Sequence, residues 1–394
     1  MLYKDYNTNI LGLEDVILTR VEKLNNEMFI YITMKRRKHR CPNCTGETDR
    51  IHDYRRQLVK DLSCSGHTVY LVYNRRRYVC PACGKRFRED VPFLAKYHRS
   101  TTRLIAKIIS DFRGMASIKD ISRQNNVSPT TAIRYFNIVN YRCKNLPEVL
   151  SIDEFKGNAG GQRFQAIITD AKHHKVLDIL PNRSSETLSA YFRTFSTRRS
   201  VKYFVMDMNK AYLELARTWF PQATIVIDKY HIVRQAIWAF ENVRIAEQSK
   251  FSDGRRKYFK RSRRLLLKHP DTLTDDERDQ VSIMLLTSDR LQKAYNLKNE
   301  FQEFMRSKDK PAATEALKRW VLLAEFCDLP EFRPCIRAVH NWDKYILNAF
   351  DCSYTNGYTE GCNNKIKVLK RLSYGVRNFK RFRNRILHIM NSPT

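Results

Sequence analysis

A multidomain α/β architecture is predicted by three features of this 394-residue sequence. Short alternating strands interrupted by two cysteine pairs open the chain, a paired-helix rhythm follows, and apolar runs then succeed one another in the order β-β-β-α-β-α-β-α. The length suffices for several domains, and a hydrophobic content of 42% is ordinary for a globular protein.

Taken in order, residues 1–98 carry strands at Met28–Met34 and Val69–Tyr73 between basic runs. Residues 99–146 read as helical, with Ile105, Ile108, Ile109 and Phe112 at helical spacing. The pattern changes at Leu146-Pro147 and opens a third zone, 147–240. There Leu150–Phe155, Arg163–Thr169 and Lys175–Leu180 read as strands and Ser185–Phe195 as a helix. A strand at Tyr203–Met206, a helix at Tyr212–Trp219, a strand at Thr224–Ile227 and a long helix from about His231 complete it. Residues 241–350 are helical in pattern, and 351–394 hold another helix and a basic end.

Charge narrows the function. The formal net charge is +31, and a chain so basic must neutralise an anion. DNA or RNA is the expected partner, because Lys and Arg displace counterions from phosphates. A membrane partner is disfavoured: the basic stretches lie inside folded-looking segments, and no run approaches the roughly 18–20 apolar residues of a bilayer span. The first residues show no hydrophobic signal core, so a cytoplasmic location is expected. In a reducing compartment the ten cysteines read as thiols or metal ligands rather than disulfides.

Cys41-Pro-Asn-Cys44 and Cys80-Pro-Ala-Cys83 form two C-x-x-C knuckles separated by 35 residues. Four thiolates suit tetrahedral Zn²⁺, and each tight turn, helped by its proline and by Gly84 after the second, lets two sulfurs reach one ion. Cys64 and His52 lie between the knuckles and could replace a ligand. Arg36, Arg37, Arg75, Arg76 and Arg77 flank them and are expected to touch DNA backbone. Further on, Ile118 and Ile121 would face Val127, Ile133 and Phe136 across a polar turn, the rhythm of a helix-turn-helix. Ser128 can cap its second helix and Pro129 suits the first turn. Thr130, Thr131 and Arg134 then occupy the face that meets base edges.

Asp153 lies inside an apolar strand, where a carboxylate is costly to bury unless paired or metal-bound. Asp207 and Asp228 end the zone's fourth and fifth strands, where α/β sheets place ligand-binding groups. Singly, each could be a cap of the following helix; three in one zone point to a cation. In the last helix Glu360, Asn363, Asn364 and Lys367 would share one face, while Cys362, Ile366 and Leu369 pack inward. Oxygen-only ligands favour Mg²⁺ or Mn²⁺, which activate water or a 3′-hydroxyl in phosphodiester chemistry. Residues 361–394 hold nine Lys or Arg and no Asp or Glu. Among them Lys380, Arg381 and Arg383 are interleaved with aromatics and, with Lys367, are candidate phosphate contacts.

Together these residues resemble the ISL-three family of insertion-sequence transposases over nearly the whole chain. The resemblance is carried by the knuckles, the helix-turn-helix, Ile152-Asp-Glu-Phe155, Val205-Met-Asp-Met208 and Asp228-Lys-Tyr-His-Ile-Val233. Most specific is Asn356-Gly-Tyr-Thr-Glu-Gly-Cys-Asn-Asn-Lys-Ile-Lys367, followed by Tyr374-Gly-Val-Arg-Asn-Phe379. It implies a ribonuclease-H-like catalytic domain interrupted by an α-helical insertion at 241–350. Matched residue by residue, it sets a DDE triad on Asp153, Asp207 and Glu360. Asp228 is a further metal candidate, either in place of Asp207 or positioning the His231 segment. His231 itself reads equally as a group near a phosphate or metal and as a helix-start histidine with a structural hydrogen bond.

The resemblance implies a bacterial, nucleoid-associated enzyme that binds the terminal inverted repeats of its insertion sequence. It would cleave and transfer strands into target DNA with Mg²⁺, as a homo-oligomer in the active complex. The alternative is a DNA-binding regulator derived from a transposase, without cleavage; loss of a triad carboxylate would favour it, and all three are present.

Overall fold

The computed structural model describes residues 11–261 and 263–391, which divide into two compact units. One runs to Asn140 and includes Arg371–Tyr374; the other comprises Tyr141–Lys370 and residues 375–391.

The first unit contains strands β1 (Val16–Leu24), β2 (Glu27–Met34), β3 (His39–Arg40), β4 (Glu47–Thr48), β5 (Ile51–Lys60), β6 (Thr68–Val79) and β7 (Arg86–Arg88). Helices α1 (Thr102–Asp111), α2 (Ile118–Gln124) and α3 (Pro129–Phe136) follow. The main sheet runs β1-β2-β6-β5 with β7 against β6, while β3 and β4 pair separately. Strict alternation in β2 buries Met28, Ile30, Ile32 and Met34 against Val69, Leu71 and Tyr73 of β6. β6 runs well past the apolar stretch that predicts it, because the basic run Arg75–Arg77 continues the strand. Arg75 and Arg76 are buried, which corrects their expected role as DNA contacts. The Arg75 Nε and Nη2 donate to the Glu89 carbonyl at 3.1 and 2.7 Å, and the Arg76 backbone N–H donates to the buried Glu89 carboxylate at 2.7 Å. Arg77 pairs with Asp53 at 3.0 Å. A carboxylate out of water needs such partners, so this run serves the interior.

In the helical part Leu104 and Ile108 of α1 and Phe112 at its C-cap pack on Ile121, Ala132 and Phe136, with the Phe112 and Phe136 rings stacked at 4.2 Å. Ser128 caps α3 by accepting from the Thr131 N–H at 3.2 Å, with Pro129 in the first turn.

The second unit opens with β8 (Val149–Phe155), β9 (Gln165–Asp170), β10 (Lys175–Leu180), α4 (Ser185–Arg193), β11 (Tyr203–Met206), α5 (Lys210–Trp219), β12 (Thr224–Ile227) and α6 (Lys229–Gln248). Then come α7 (Asp253–Arg261), α8 (Arg263–Leu267), α9 (Asp275–Leu285), α10 (Asp289–Met305), α11 (Lys310–Cys327), α12 (Arg333–Leu347), α13 (Gly357–Leu372) and α14 (Phe379–Met390). The sheet order is β10-β9-β8-β11-β12, with β8, β9 and β10 antiparallel and β11 parallel to both β8 and β12.

Each face of this sheet carries its own apolar layer. On one, Ile152, Ile168, Phe204 and Ile227 meet Phe192 of α4, Leu215 of α5 and Ile232 of α6, and that core continues into Phe301, Trp320 and Trp342 of the later helices. On the other, Phe155, Ile167 and Ile179 meet Cys362, Ile366 and Leu369 of α13 and Phe382 and Ile386 of α14. Gly160 lets the 158–161 turn close against α14: its φ is +63°, its N–H donates to the Arg377 carbonyl at 2.9 Å, and a Cβ there would stand 3.0 Å from Phe379. Among the described residues no helix is long and apolar enough to cross a membrane.

Candidate active site and metal centres

Strand alternation and register assemble the acids. In β8, Leu150 and Ile152 belong to the core shared with α4–α6, so Ser151, Asp153 and Phe155 turn to the face covered by α13. Met206 and Ile227 also belong to that first core, so Asp207 and Asp228, the next residues, turn towards α13 as well. Val205 pairs with Ser151 and Met206 with Ile227. Continuing that register sets Asp207 between Asp153 and Asp228, a row across neighbouring strands about 4.8 Å apart.

α13 closes over the row. Asn356, fully buried just before the helix, donates to the Asp207 carboxylate at 3.2 Å and to the Ile152 carbonyl at 3.4 Å, and accepts from the Ser151 hydroxyl. One turn on, the Thr359 hydroxyl lies 2.8 Å from that of Thr169 and 3.2 Å from that of Ser151. Asn363 donates to Asp153 Oδ2 at 2.7 Å, and its own Oδ1 is buried without a partner. His231, in the first turn of α6, brings Nε2 to 3.0 Å from Asp207 Oδ1 and 3.8 Å from Glu360 Oε1. Asp228, His231 and Glu360 can each offer a ligand atom within 4.8 Å of the others.

The electrostatics reflect this crowding. Burial, reinforced by the charge of Asp207, pushes Asp153 up to about 7. Burial also pushes Asp207 up to about 7; the Asn356 hydrogen bond opposes the shift, while Asp228, Glu154 and Glu360 add to it. Asp228 and Glu360 are raised chiefly by burial. Carboxylates that raise one another's pKa are a set that a divalent cation relieves.

The predicted α13 face divides. Glu360 and Asn363 meet the acids, whereas Asn364 and Lys367 are exposed, with Lys367 Nζ 3.2 Å from Asn364 Oδ1. Asp228 does cap its helix, accepting from the Tyr230 N–H at 3.3 Å, but Asp207 caps nothing; Asn209 caps α5. The sequence assigns no role to Ser151, Asn356 or Thr359, although Asn356 and Thr359 belong to the Asn356–Lys367 motif and Asn356 sits seven residues before Asn363, the spacing of one helix face.

In the first unit each knuckle hangs on a strand pair, Cys41 and Cys44 between β3 and β4, Cys80 and Cys83 between β6 and β7. Both turns use the same backbone bonds: Cys41 N–H to the Gly46 carbonyl at 2.9 Å and Cys80 N–H to the Lys85 carbonyl at 3.0 Å. Sulfurs of Cys41 and Cys83 stand 3.6 Å apart, those of Cys44 and Cys80 3.5 Å, and all four sulfurs lie within 4.8 Å of one another. Four sulfurs at this separation fit a closed tetrahedral Zn²⁺ site. Cys64 and His52 lie outside that cluster, Cys64 beside Ser65 and His52 beside Asp53.

On α3, Thr130 and Arg134 are exposed and Thr131 is half-buried, with the Thr130 and Thr131 hydroxyls each 2.9 Å from Ser128 Oγ. Lys380 is exposed and Arg381 half-buried. Arg383 corrects the expectation of a phosphate contact. It is locked by Asp178 at 2.5 and 3.0 Å and donates to the Tyr141 carbonyl at 2.8 Å, because the buried Asp178 of β10 requires a cation from the helix packed on it.

Residues 150–386 match the transposase domain of family ISL3, residues 37–83 the zinc-finger of IS204, IS1001, IS1096 and IS1165 transposases, and residues 89–137 the helix-turn-helix domain of transposase family ISL3. The chain is similar to the transposase for insertion sequence element IS1001 of Bordetella parapertussis, 27% identical over 363 residues, or 90% of this chain and 89% of that protein. The transposase for element IS1557 of Mycobacterium tuberculosis is 23% identical over 243 residues, 55% of this chain and 54% of its own. A Lactococcus lactis protein named ATP-dependent protease is 34% identical over 111 residues, 28% of this chain and 34% of its own.

Proposed function

The chain belongs to the ISL3 family of transposases, and from that premise we propose a DDE-type enzyme that binds the terminal inverted repeats of its own insertion sequence, cuts there and joins the freed ends to target DNA. The carrying observation is the row Asp153–Asp207–Asp228 across adjacent strands, faced by Glu360 from α13. An order of three antiparallel and two parallel strands with helices on both faces supports a ribonuclease-H-like core. In this reading the core comprises 147–240 and 351–394, the helical stretch 241–350 is its insertion, and 1–98 and 99–146 are the zinc and helix-turn-helix modules. The active complex is a homo-oligomer on DNA.

The site fits a divalent cation: the donors are carboxylate oxygens, burial and, to a lesser degree, the neighbouring carboxylates raise the pKa values of Asp153 and Asp207, and the orphaned Asn363 Oδ1 lies beside them. Asp153, Asp207 and Glu360 would hold Mg²⁺ or Mn²⁺, with Asp228 adjoining. Such an ion supplies Lewis acidity for an attacking oxygen and offsets charge on the leaving one. The protein's own groups do the positioning. Asn363 and Asn356 orient the Asp153 and Asp207 carboxylates, and His231 can hold a proton at Nε2 between Asp207 and Glu360. The cysteine site, with four protein ligands and no open position, is structural.

The test is cleavage of a plasmid bearing the element's ends in Mg²⁺ or Mn²⁺. Asp153→Asn, Asp207→Asn and Glu360→Gln are each expected to abolish cutting while folding and end-binding persist. If Asp228→Asn abolishes cutting and Asp207→Asn does not, the second acid is Asp228. Cutting in a chelator would defeat the mechanism.

A further inference from the structure

α6 starts at the acid row, so its solvent face begins where DNA chemistry would occur. That face carries Tyr230, Arg234 and Trp238 at four-residue spacing, one stripe of the helix. Tyr230 is 52% exposed and Trp238 54%. A solvated face ordinarily shows small or charged groups; here two aromatic rings flank a cation. The Arg234 guanidinium stands 4.2 Å from the centre of the Trp238 ring and forms no ion pair among the described residues. The Tyr230 ring meets His231 edge-on at 5.5 Å, and His231 in turn touches Asp207, so the stripe is continuous with the acids.

Trp238 also walls a groove of about 580 Å³ between α6 and α12. Gln235, Asn242 and Asn341 line it with side-chain amides beside the charged Glu331 and Arg337, and the buried Trp342 forms part of its wall. Amides offer a donor and an acceptor side by side, the pattern that meets base edges, and an indole offers a stacking surface. In a duplex both surfaces of a base are occupied, so this groove fits an unpaired one.

We propose that the Tyr230–Arg234–Trp238 stripe and its amide-lined groove hold an unstacked base of the DNA strand delivered to the acid row. The stripe thus contributes binding of a single-stranded segment, with Arg234 on the phosphate and Trp238 on the base. This rests on reading the row as the cleavage site.

The experiment uses the full chain without divalent metal, titrated with oligo(dT) and with a blunt duplex of equal length. Tryptophan fluorescence is expected to quench on adding oligo(dT). Trp238→Phe should lose that quench yet keep most of the affinity; Trp238→Ala should weaken oligo(dT) binding by about tenfold and leave duplex binding unchanged. Arg234→Gln should weaken oligo(dT) binding and flatten its salt dependence. Unchanged quenching in Trp238→Phe overturns the proposal, as does equal loss of duplex and oligo(dT) binding in Trp238→Ala. A change of mass in solution as the sole effect means that a second copy covers the face, and also overturns it. Wild-type cleavage in Mn²⁺ is scored separately. Active enzyme with Trp238-independent oligo(dT) binding refutes this inference alone, whereas inactive enzyme with Trp238-dependent binding refutes the acid-row reading and keeps the groove.

Discussion

Asn363 holds Asp153 with its amide nitrogen and leaves its own Oδ1 buried and unpaired. An unpaired buried acceptor costs about 1–3 kcal/mol, which is tolerable where an ion or its water completes the pairing. Asn363→Leu removes both that cost and the hydrogen bond to Asp153, two effects of opposite sign on metal-free stability, and is expected to shrink the rise in Tm that Mn²⁺ produces. Equal Mn²⁺ stabilisation of both proteins would refute a role beside the ion. Lys298 presents the opposite case, a buried cation far from the acids in sequence. It donates to the Lys268 carbonyl at 2.9 Å, lies 4.6 Å from the Tyr295 ring, and is lowered by burial to about 7. In the unfolded chain a lysine titrates near ~10.4. With the folded value depressed, the protein loses stability as pH falls towards 7, where the buried amine must carry charge. The stability margin of Lys298→Met over wild type should thus be larger at pH 6 than at pH 9 in urea unfolding. A margin that grows with pH would contradict this assignment. The four acids are legible in sequence because an apolar strand interior singles out Asp153, strand ends single out Asp207 and Asp228, and helix spacing singles out Glu360. Arg383 and Lys298 are not, because a linear reading shows charge but not the partner, and Asp178 lies 205 residues from Arg383.

Elements were legible where one face repeats. Tyr203–Met206, Thr224–Ile227 and Lys175–Leu180 are strands at the residues expected, since short apolar runs between turns fix both ends. The apolar pattern predicts only part of β6, because Arg75 and Arg76 interrupt it while their inward pairing with Glu89 sustains the strand. At the start of α13 the sequence pattern shows only polar groups: Asn356 and Thr359 are both fully buried by hydrogen bonds to the sheet. The knuckles show what an element contributes beyond pattern. Two like turns, each closed by its own backbone hydrogen bonds, bring four sulfurs together from different strand pairs, where an ion between them would tie the two turns to each other. Purified protein should carry one Zn²⁺ per chain. Cys80→Ser should lose it and render residues around 37–88 protease-sensitive while the second unit's thermal transition is unchanged. Stoichiometric zinc in that variant, by elemental analysis, would show that the sulfurs do not form the site.

At the scale of the whole chain, a net charge of +31 supplies affinity for any DNA but no choice among sequences. Choice requires side chains aimed at base edges, and α3 offers the exposed Thr130 and Arg134 on a capped helix within the first unit. In the proposed reaction the acid row, in contrast, would act on many target sequences. A fragment of residues 1–145 is accordingly expected to prefer the element's terminal repeat over a scrambled duplex without divalent metal. Arg134→Ala should reduce that preference by about 1–3 kcal/mol if its guanidinium makes a bidentate base contact. Neutralising Lys367 and Lys380, both exposed, should weaken binding of the full chain to every duplex alike and reduce the salt slope by about two. Arg383→Gln belongs to neither class: with Asp178 left buried and unpaired it should destabilise the second unit instead of altering DNA affinity. Competition binding to repeat and scrambled duplexes at several salt concentrations separates these outcomes. Equal affinity of the fragment for the two duplexes would remove sequence choice from α3 and assign it to the second unit, where the amide-lined groove beside Trp238 would become the first place to look.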